Sequence, residues 1–74
     1  MGQSERVLQY MKDHGGITSF EAFQDLGITR LSARIFDLRR RGNIITTAKM
    51  ESTNRFGDTV RFARYILRRE ANEA

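Results

Sequence analysis

Two short helical segments joined only by Leu26-Gly27-Ile28-Thr29 restrict this chain more than any other feature of its sequence. Thr18 and Glu21 have the spacing of a capping box, with Ile17 placed as a hydrophobic staple, so a helix starts there. Phe20, Ala22, Phe23 and Leu26 are expected to form its apolar face, and Gly27 stops it after barely two turns. The next helix takes Thr29 as its N-cap, repeats Leu31, Ile35 and Leu38 at i, i+4 and i+7, and is closed by Gly42. A junction this short leaves no room for an antiparallel pair with long arms. The two helices must cross steeply, as in a helix-turn-helix unit.

Another helix is predicted ahead of them, over residues 4–14. Ser4 is its expected N-cap, Val7, Tyr10, Met11 and His14 form one stripe, and Gly15 follows as the C′ glycine. His14 reads as a packing or capping residue of the helix end. After Gly42-Asn43 the period changes. Residues 44–50 and 59–66 are rich in β-branched side chains and read as strands, separated by a loop from Glu51 to Asp58 with a turn around Gly57. Both faces of the second strand carry apolar residues, so its buried face is left open. The fold class is α+β: three helices followed by a two-stranded hairpin. A lone hairpin is marginal, so it must pack on the helices, with a place for a short third strand near Ile17. One domain over residues 1–67 and a flexible tail over 68–74 are expected.

Seventy-four residues make one small domain, and the usual supports of small domains are missing: there is no Cys, and His14 is the single histidine. That count excludes a disulfide framework and a Cys/His zinc site; no metal and no cofactor are expected. Catalysis is not expected either, because His14 stands alone and neither a Gly-rich phosphate loop nor a spaced carboxylate pair occurs. No apolar run approaches the roughly 20 residues that span a bilayer, so no membrane contact and a cytoplasmic location are expected. The charge is more informative. Of thirteen Lys+Arg, only Lys12 and Lys49 are lysine, and the net charge is +4. Arginine's planar fork grips phosphates and guanine edges in pairs of hydrogen bonds, so its excess points toward nucleic acid.

The segment Leu26-Gly27-Ile28-Thr29-Arg30-Leu31-Ser32-Ala33-Arg34-Ile35-Phe36-Asp37-Leu38-Arg39-Arg40-Arg41-Gly42, with Ile44 and Arg61-Phe62-Ala63-Arg64-Tyr65 after it, resembles the small stand-alone winged helix-turn-helix proteins of phages and prophages. The resemblance covers residues 4–67. It implies double-stranded DNA binding, with the third helix in the major groove and the hairpin, or wing, on the backbone or minor groove. One departure is Phe23, four positions before the turn glycine, where such units usually carry a small residue. Contact positions are therefore assigned by helical phase.

With Leu31 at zero and 100° per residue, Leu31, Ile35 and Leu38 face the core. Ala33, Phe36 and Arg40 lie opposite, flanked by Arg30, Ser32, Asp37 and Arg41. Arg30 and Ser32 occupy the half that meets base edges, and Ala33 lets the helix sit deep or touch a thymine methyl. Arg34 has two readings: a phosphate contact or an ion pair with Asp37. Arg40 and Arg41 point to the DNA side, although Arg39-Arg40-Arg41 also suits the helix dipole. Arg55 is expected on DNA from the wing tip; Arg61, a further candidate, and Arg64 fall on opposite faces of the returning strand. Phe36 faces either the DNA or the hairpin. The leading reading is sequence-specific DNA binding in transcriptional regulation or phage recombination. The alternative is an adaptor that binds a protein partner, or a second copy of itself, through Phe36, Phe56 and Phe62.

Overall fold

Gly2 rather than Ser4 begins the first helix in the computed structural model, which describes residues 2–71. Helix α1 spans Gln3–His14 with Gly2 at its N-cap and no side-chain cap. Ser4 is instead buried inside the first turn, where its hydroxyl donates to Asp37 Oδ2 at 2.7 Å. A partner far away in sequence has taken the hydroxyl that a local cap would have used. Val7 and Met11 carry the inward stripe, whereas His14 is exposed and packs against the Tyr10 ring at 4.3 Å. Gly15, at φ +86°, ends the helix and donates its N–H to Met11 O at 2.7 Å.

A short strand, β1 (Gly16–Thr18), leads straight into α2 (Ser19–Leu26). The capping box forms in both directions: Glu21 N donates to Thr18 Oγ1 at 3.2 Å, and Thr18 N donates to Glu21 Oε1 at 2.9 Å. The apolar face expected for this helix is narrower than read. Ala22 is fully buried and Leu26 half-buried, but Phe20 and Phe23 are 71% and 61% exposed. In an eight-residue helix only one narrow stripe meets the core, and the phase of Ala22 and Leu26 claims it. Phe23 is therefore no obstacle to packing; Ala22 is the small residue turned into the core. The turn closes with Gly27 N donating to Phe23 O at 3.1 Å and Ile28 N to Ala22 O at 3.0 Å. A left-handed glycine whose N–H bonds back four residues is the αL ending, and the Ile28 N–H adds a second bond one residue further back.

Helix α3 spans Leu31–Arg40, with Arg30 rather than Thr29 at its N-cap and no side-chain cap. Ile28 is drawn into the core and the chain bends at Thr29, so helical conformation starts later than Thr29 would have set it. Leu31, Ile35 and Leu38 are buried, as their spacing predicts. Two longer strands follow, β2 (Ile44–Thr53) and β3 (Thr59–Arg69). The sheet is antiparallel in the order β1-β3-β2, so the short strand near Ile17 is present. Residues 51–53 pair as strand, which shortens the expected loop to a tip of residues 54–58. β3 runs past the expected boundary at 67, because Arg69 pairs with Ile44 across a bulge; residues 72–74 of the expected tail lie outside the described residues.

The register settles which face of β3 is buried. Cross-strand partners share a face, and Ile17 opposite Tyr65, with Ile45 opposite Leu67, line the side toward the helices. Phe62, Ile66, Met50 and Val60 lie on the other side. The core joins Val7, Met11, Ile17, Ala22, Ile28, Leu31, Ile35, Leu38 and Ile45. It is wholly aliphatic apart from the Met thioether. All five phenylalanines are exposed, from Phe62 at 41% to Phe56 at 80%.

Candidate nucleic-acid interface

Helix α3 distributes its polar side chains in three directions. Toward α1 lies an ionic cluster. Arg41 pairs with Glu5 at 2.8 Å and with Asp37 at 2.9 Å, while Asp37 accepts the Ser4 hydroxyl. The Ser4 hydrogen bond, against a small desolvation penalty and helped by Arg41, holds the Asp37 carboxyl below its ordinary pKa. Hydrogen bonding to Arg41 lowers that of Glu5, and the Glu5 bond raises that of Arg41. Of the two readings of Arg34, the ion pair with Asp37 does not form; Arg41, four positions beyond Asp37, takes that carboxylate. Arg34 is half-buried, and its Nε is buried with no hydrogen-bond partner. It lines a concavity of about 780 Å³ between the start of α1 and the outward side of α3.

Toward the sheet, Arg39 donates from Nε and Nη2 to Ile45 O at 3.1 and 2.8 Å, and from Nη2 to Thr47 Oγ1 at 3.2 Å. Its guanidinium lies 6.0 Å from the Tyr65 ring centroid. Arg39 thus ties the helix to β2. Outward, away from the core, stand Ser32, Phe36 and Arg40, with half-buried Ala33 among them and Arg30 at the N-cap. Phe36 is 62% exposed, which places it on the open side of α3 and not beneath the hairpin. The Arg40 guanidinium packs over its ring at 5.7 Å. Among the described residues, the Arg30 side chain makes no hydrogen bond or ion pair.

The wing tip is built by Asn54. Its Oδ1 accepts Phe56 N at 2.9 Å and Asp58 N at 3.0 Å, and Asn54 N donates to Asp58 O at 2.9 Å. These bonds are the Asx-type local competition that lets a short polar residue replace a strand ladder at a turn. Gly57, at φ +84°, completes it, and Arg55 and Phe56 are left exposed at the apex. Arg61 pairs with Glu51 directly across the hairpin at 3.0 Å, both largely exposed. Arg64 lies on the opposite face and donates to His14 O at 3.3 Å. A Cβ on Gly16 would come within 2.8 Å of Tyr65 O and 2.9 Å of Arg64 Cζ, so β1 approaches β3 here only because residue 16 is glycine. Arg68, expected in a solvated tail, is in β3 and donates to Thr46 Oγ1 at 3.1 Å.

Short helices α2 and α3 joined by residues 27–30, followed by a hairpin with an exposed tip, are the parts that define one fold family. A family model described as a winged helix-turn-helix domain matches residues 2–70. The chain belongs to this family. No curated protein and no solved structure matches it. In this winged helix-turn-helix domain α2 and α3 form the helix-turn-helix unit, and β2 and β3 form the wing. No helix among the described residues is long and apolar enough to cross a membrane.

Of the arginine, serine and alanine positions assigned by phase, the structure brings Arg30, Ser32, Ala33 and Arg40 to one side of α3. It turns Arg34 and Arg41 toward α1, leaves Arg55 at the wing tip, and engages Arg61 with Glu51. Ser4, read as a helix cap, and Asn43 hold structural places that the sequence reading did not assign. Nothing local marks the bond of Ser4, whose partner is 33 positions away. Asn43 follows a glycine and reads as turn, yet it is buried and donates to Leu38 O at 2.9 Å.

Proposed function

We propose that this protein binds double-stranded DNA sequence-specifically, with α3 in the major groove and the wing tip on the flanking backbone or minor groove. The observation that carries the reading is the sorting of arginine on α3. Arg39 and Arg41 are engaged within the molecule, while Arg30 and Arg40 stand at the two ends of an outward face that also carries Ser32 and Ala33. The two ends are about 15 Å apart at the helical rise, which suits a groove-bound helix that meets phosphates or guanines at both limits of its contact. Arg55, exposed at the end of a hairpin in a molecule 45 Å long, extends the same positive surface. Arg34 and Arg61 are further candidates for phosphate contact, as is Arg41 where a phosphate takes the place of Glu5 or Asp37 beside it. A role in transcriptional regulation or recombination, in a phage or prophage setting, is part of this proposal.

The test is a duplex titration over a range of salt concentrations. With about five arginines on phosphates, log K falls with log salt at a slope of about −4 to −5. A flat salt response refutes the proposal. A second reading, an adaptor that docks on protein, draws on a different observation: Phe20, Val60 and Phe62 line a hollow of about 410 Å³ between α2 and the wing. Amide shifts on adding duplex separate the two. Shifts at Arg30, Ser32, Arg40 and Arg55 support DNA binding; silence there, with concentration-dependent shifts at the phenylalanines, supports the adaptor.

A further inference from the structure

The outward face of α3 carries an unusual inventory for a helix that reads bases. Its sequence, LSARIFDLRR, has no Asn or Gln to pair with an adenine edge. Its one carboxylate, Asp37, is occupied by the Ser4 hydroxyl and Arg41, so it does not accept from a cytosine amino group. What remains between Arg30 and Arg40 is Ser32, Ala33 and Phe36. Phe36 lies about 140° and Ala33 about 200° around the axis from buried Leu31, so the two bracket the direction that points straight away from the core. Nothing in the fold requires a phenylalanine there. The core is complete without it, and a 62% exposed ring at the centre of an otherwise polar face has an unfavourable hydration that folding does not offset. Arg40, one turn further on, places its guanidinium over the ring at 5.7 Å.

The group in a major groove that complements an apolar ring is the C5-methyl of thymine, the only apolar substituent that base pairs present there. We infer that Phe36, with Ala33 beside it, contacts thymine methyl groups, so that the base steps under the middle of α3 are A·T pairs, while Arg30 and Arg40 hold guanine edges or phosphates at either end. This inference rests on the DNA-binding reading above, and it adds what part of the base-pair surface is read and by which residue.

The experiment compares an alternating d(A-T) duplex with the same duplex carrying deoxyuridine, which keeps every hydrogen-bonding group and lacks the methyl. A parallel pair sets an alternating d(G-C) duplex against its 5-methylcytosine form, which places a methyl at the same groove position. Each methyl buried against Phe36 strengthens binding about fourfold. Wild-type protein is therefore expected to prefer the thymine duplex over the deoxyuridine duplex, and the 5-methylcytosine duplex over the cytosine duplex, by that factor or more. Phe36→Ala, at an exposed position, is expected to bind all four with affinities that no longer depend on the methyl, and to keep the wild-type salt slope. Equal wild-type affinity for the thymine and deoxyuridine duplexes overturns the inference and leaves DNA binding standing. A methyl preference that survives in Phe36→Ala also overturns it, because the duplex or another residue then senses the methyl. Failure to bind any of the four duplexes at low salt overturns the inference together with the DNA-binding reading.

Discussion

Replacing Asn43 is expected to loosen three parts of the fold together. This side chain is 6% exposed and sits where α3 gives way to β2. Its Nδ2 donates to Leu38 O at 2.9 Å, and its Oδ1 accepts Ala71 N at 3.0 Å, so it ties the end of α3 to the end of the described chain. Asn43→Ala removes both bonds. Leu38 O keeps the Asn43 backbone N–H at 3.2 Å, and exposed Ala71 recovers water, so neither group is orphaned and the loss stays near the ordinary net value of about 1 kcal/mol per bond. A total of about 1–2 kcal/mol lowers the melting temperature of a domain this size by about 4–16 °C. That is a substantial part of the roughly 4–11 kcal/mol that a chain of this length retains. Asn43→Asp separates hydrogen bonding from mere bulk. An ionised carboxylate would face the Leu38 carbonyl, acceptor against acceptor, so the folded state raises its pKa above the unfolded value of about 3.9. Its penalty is then absent below the unfolded pKa, where the protonated acid can still donate to Leu38 O, and complete above the folded one. Thermal and urea melts followed by circular dichroism, each variant compared with wild type at the same pH, measure this. Asn43→Asp should be less stable than Asn43→Ala at neutral pH and should recover toward wild type in acid. A melting temperature for Asn43→Ala equal to wild type, or an Asp deficit independent of pH, refutes the reasoning.

Four further outcomes follow from the geometry. Thr18→Ala breaks the capping box of α2 and should cost about 1 kcal/mol in urea unfolding. Ala22→Leu overfills the core beneath α2 and should destabilise by about 1–3 kcal/mol, whereas Phe23→Ala, at an exposed position, should change stability far less in the same melts. The Tyr10 hydroxyl donates to Asp25 Oδ2 at 2.6 Å, which, with burial and Glu21, raises its pKa to about 12. That contribution is complete below the unfolded tyrosine pKa and is lost as pH rises through about 12; Asp25→Asn should move the tyrosinate absorbance titration back toward lower pH. Asp37 has a lowered pKa, so its contribution is present above the unfolded carboxylate pKa and disappears as pH falls through the folded one. In Ser4→Ala, the carboxyl NMR titration of Asp37 should shift upward.

The legible parts of the fold were those carried by neighbours in sequence. Thr18 with Glu21, the glycine at 27, and Leu31, Ile35 and Leu38 are spaced by helical geometry itself, and each took its expected place. The short strand at Ile17 was legible for a different reason, since a hairpin needs a further partner to be stable. Phe20 and Phe23 were misread because apolar character was equated with the inward side. With only two turns, α2 buries a stripe one small residue wide, and periodicity does not say which of two adjacent stripes that is. The side chains of α3 divide in part by partners that no local window contains: Glu5 lies 36 positions from Arg41, and Ser4 lies 33 from Asp37. Phase alone set Arg41 on the outward side; the approach of α1 claimed it. Strand ends were underestimated because residues 51–53 and 68–69 are polar or charged and are held by ladder pairing, not by burial.

Two surpluses, in arginine and in exposed phenylalanine, meet on the same elements. Arg39, Arg64 and Arg68 give hydrogen bonds to β2 or to the end of α1, and Arg41 and Arg61 are held by carboxylates. Structure therefore accounts for much of the basic composition, and a net charge of +4 is a poor guide to how much of it faces a partner. The outward arginines are the better guide. Arg30 and Arg40 flank Phe36 on α3, and Arg55 adjoins Phe56 at the wing tip. Charge draws a polyanion to both elements without regard to sequence, since every duplex presents the same phosphates. An apolar ring has the opposite character: it gains nothing from phosphate and responds only to what lies in the groove or between bases. Arginine alone would suit a non-specific binder, and phenylalanine alone a protein-docking surface. Under the DNA-binding proposal, their pairing on the helix and again on the wing would join affinity to discrimination.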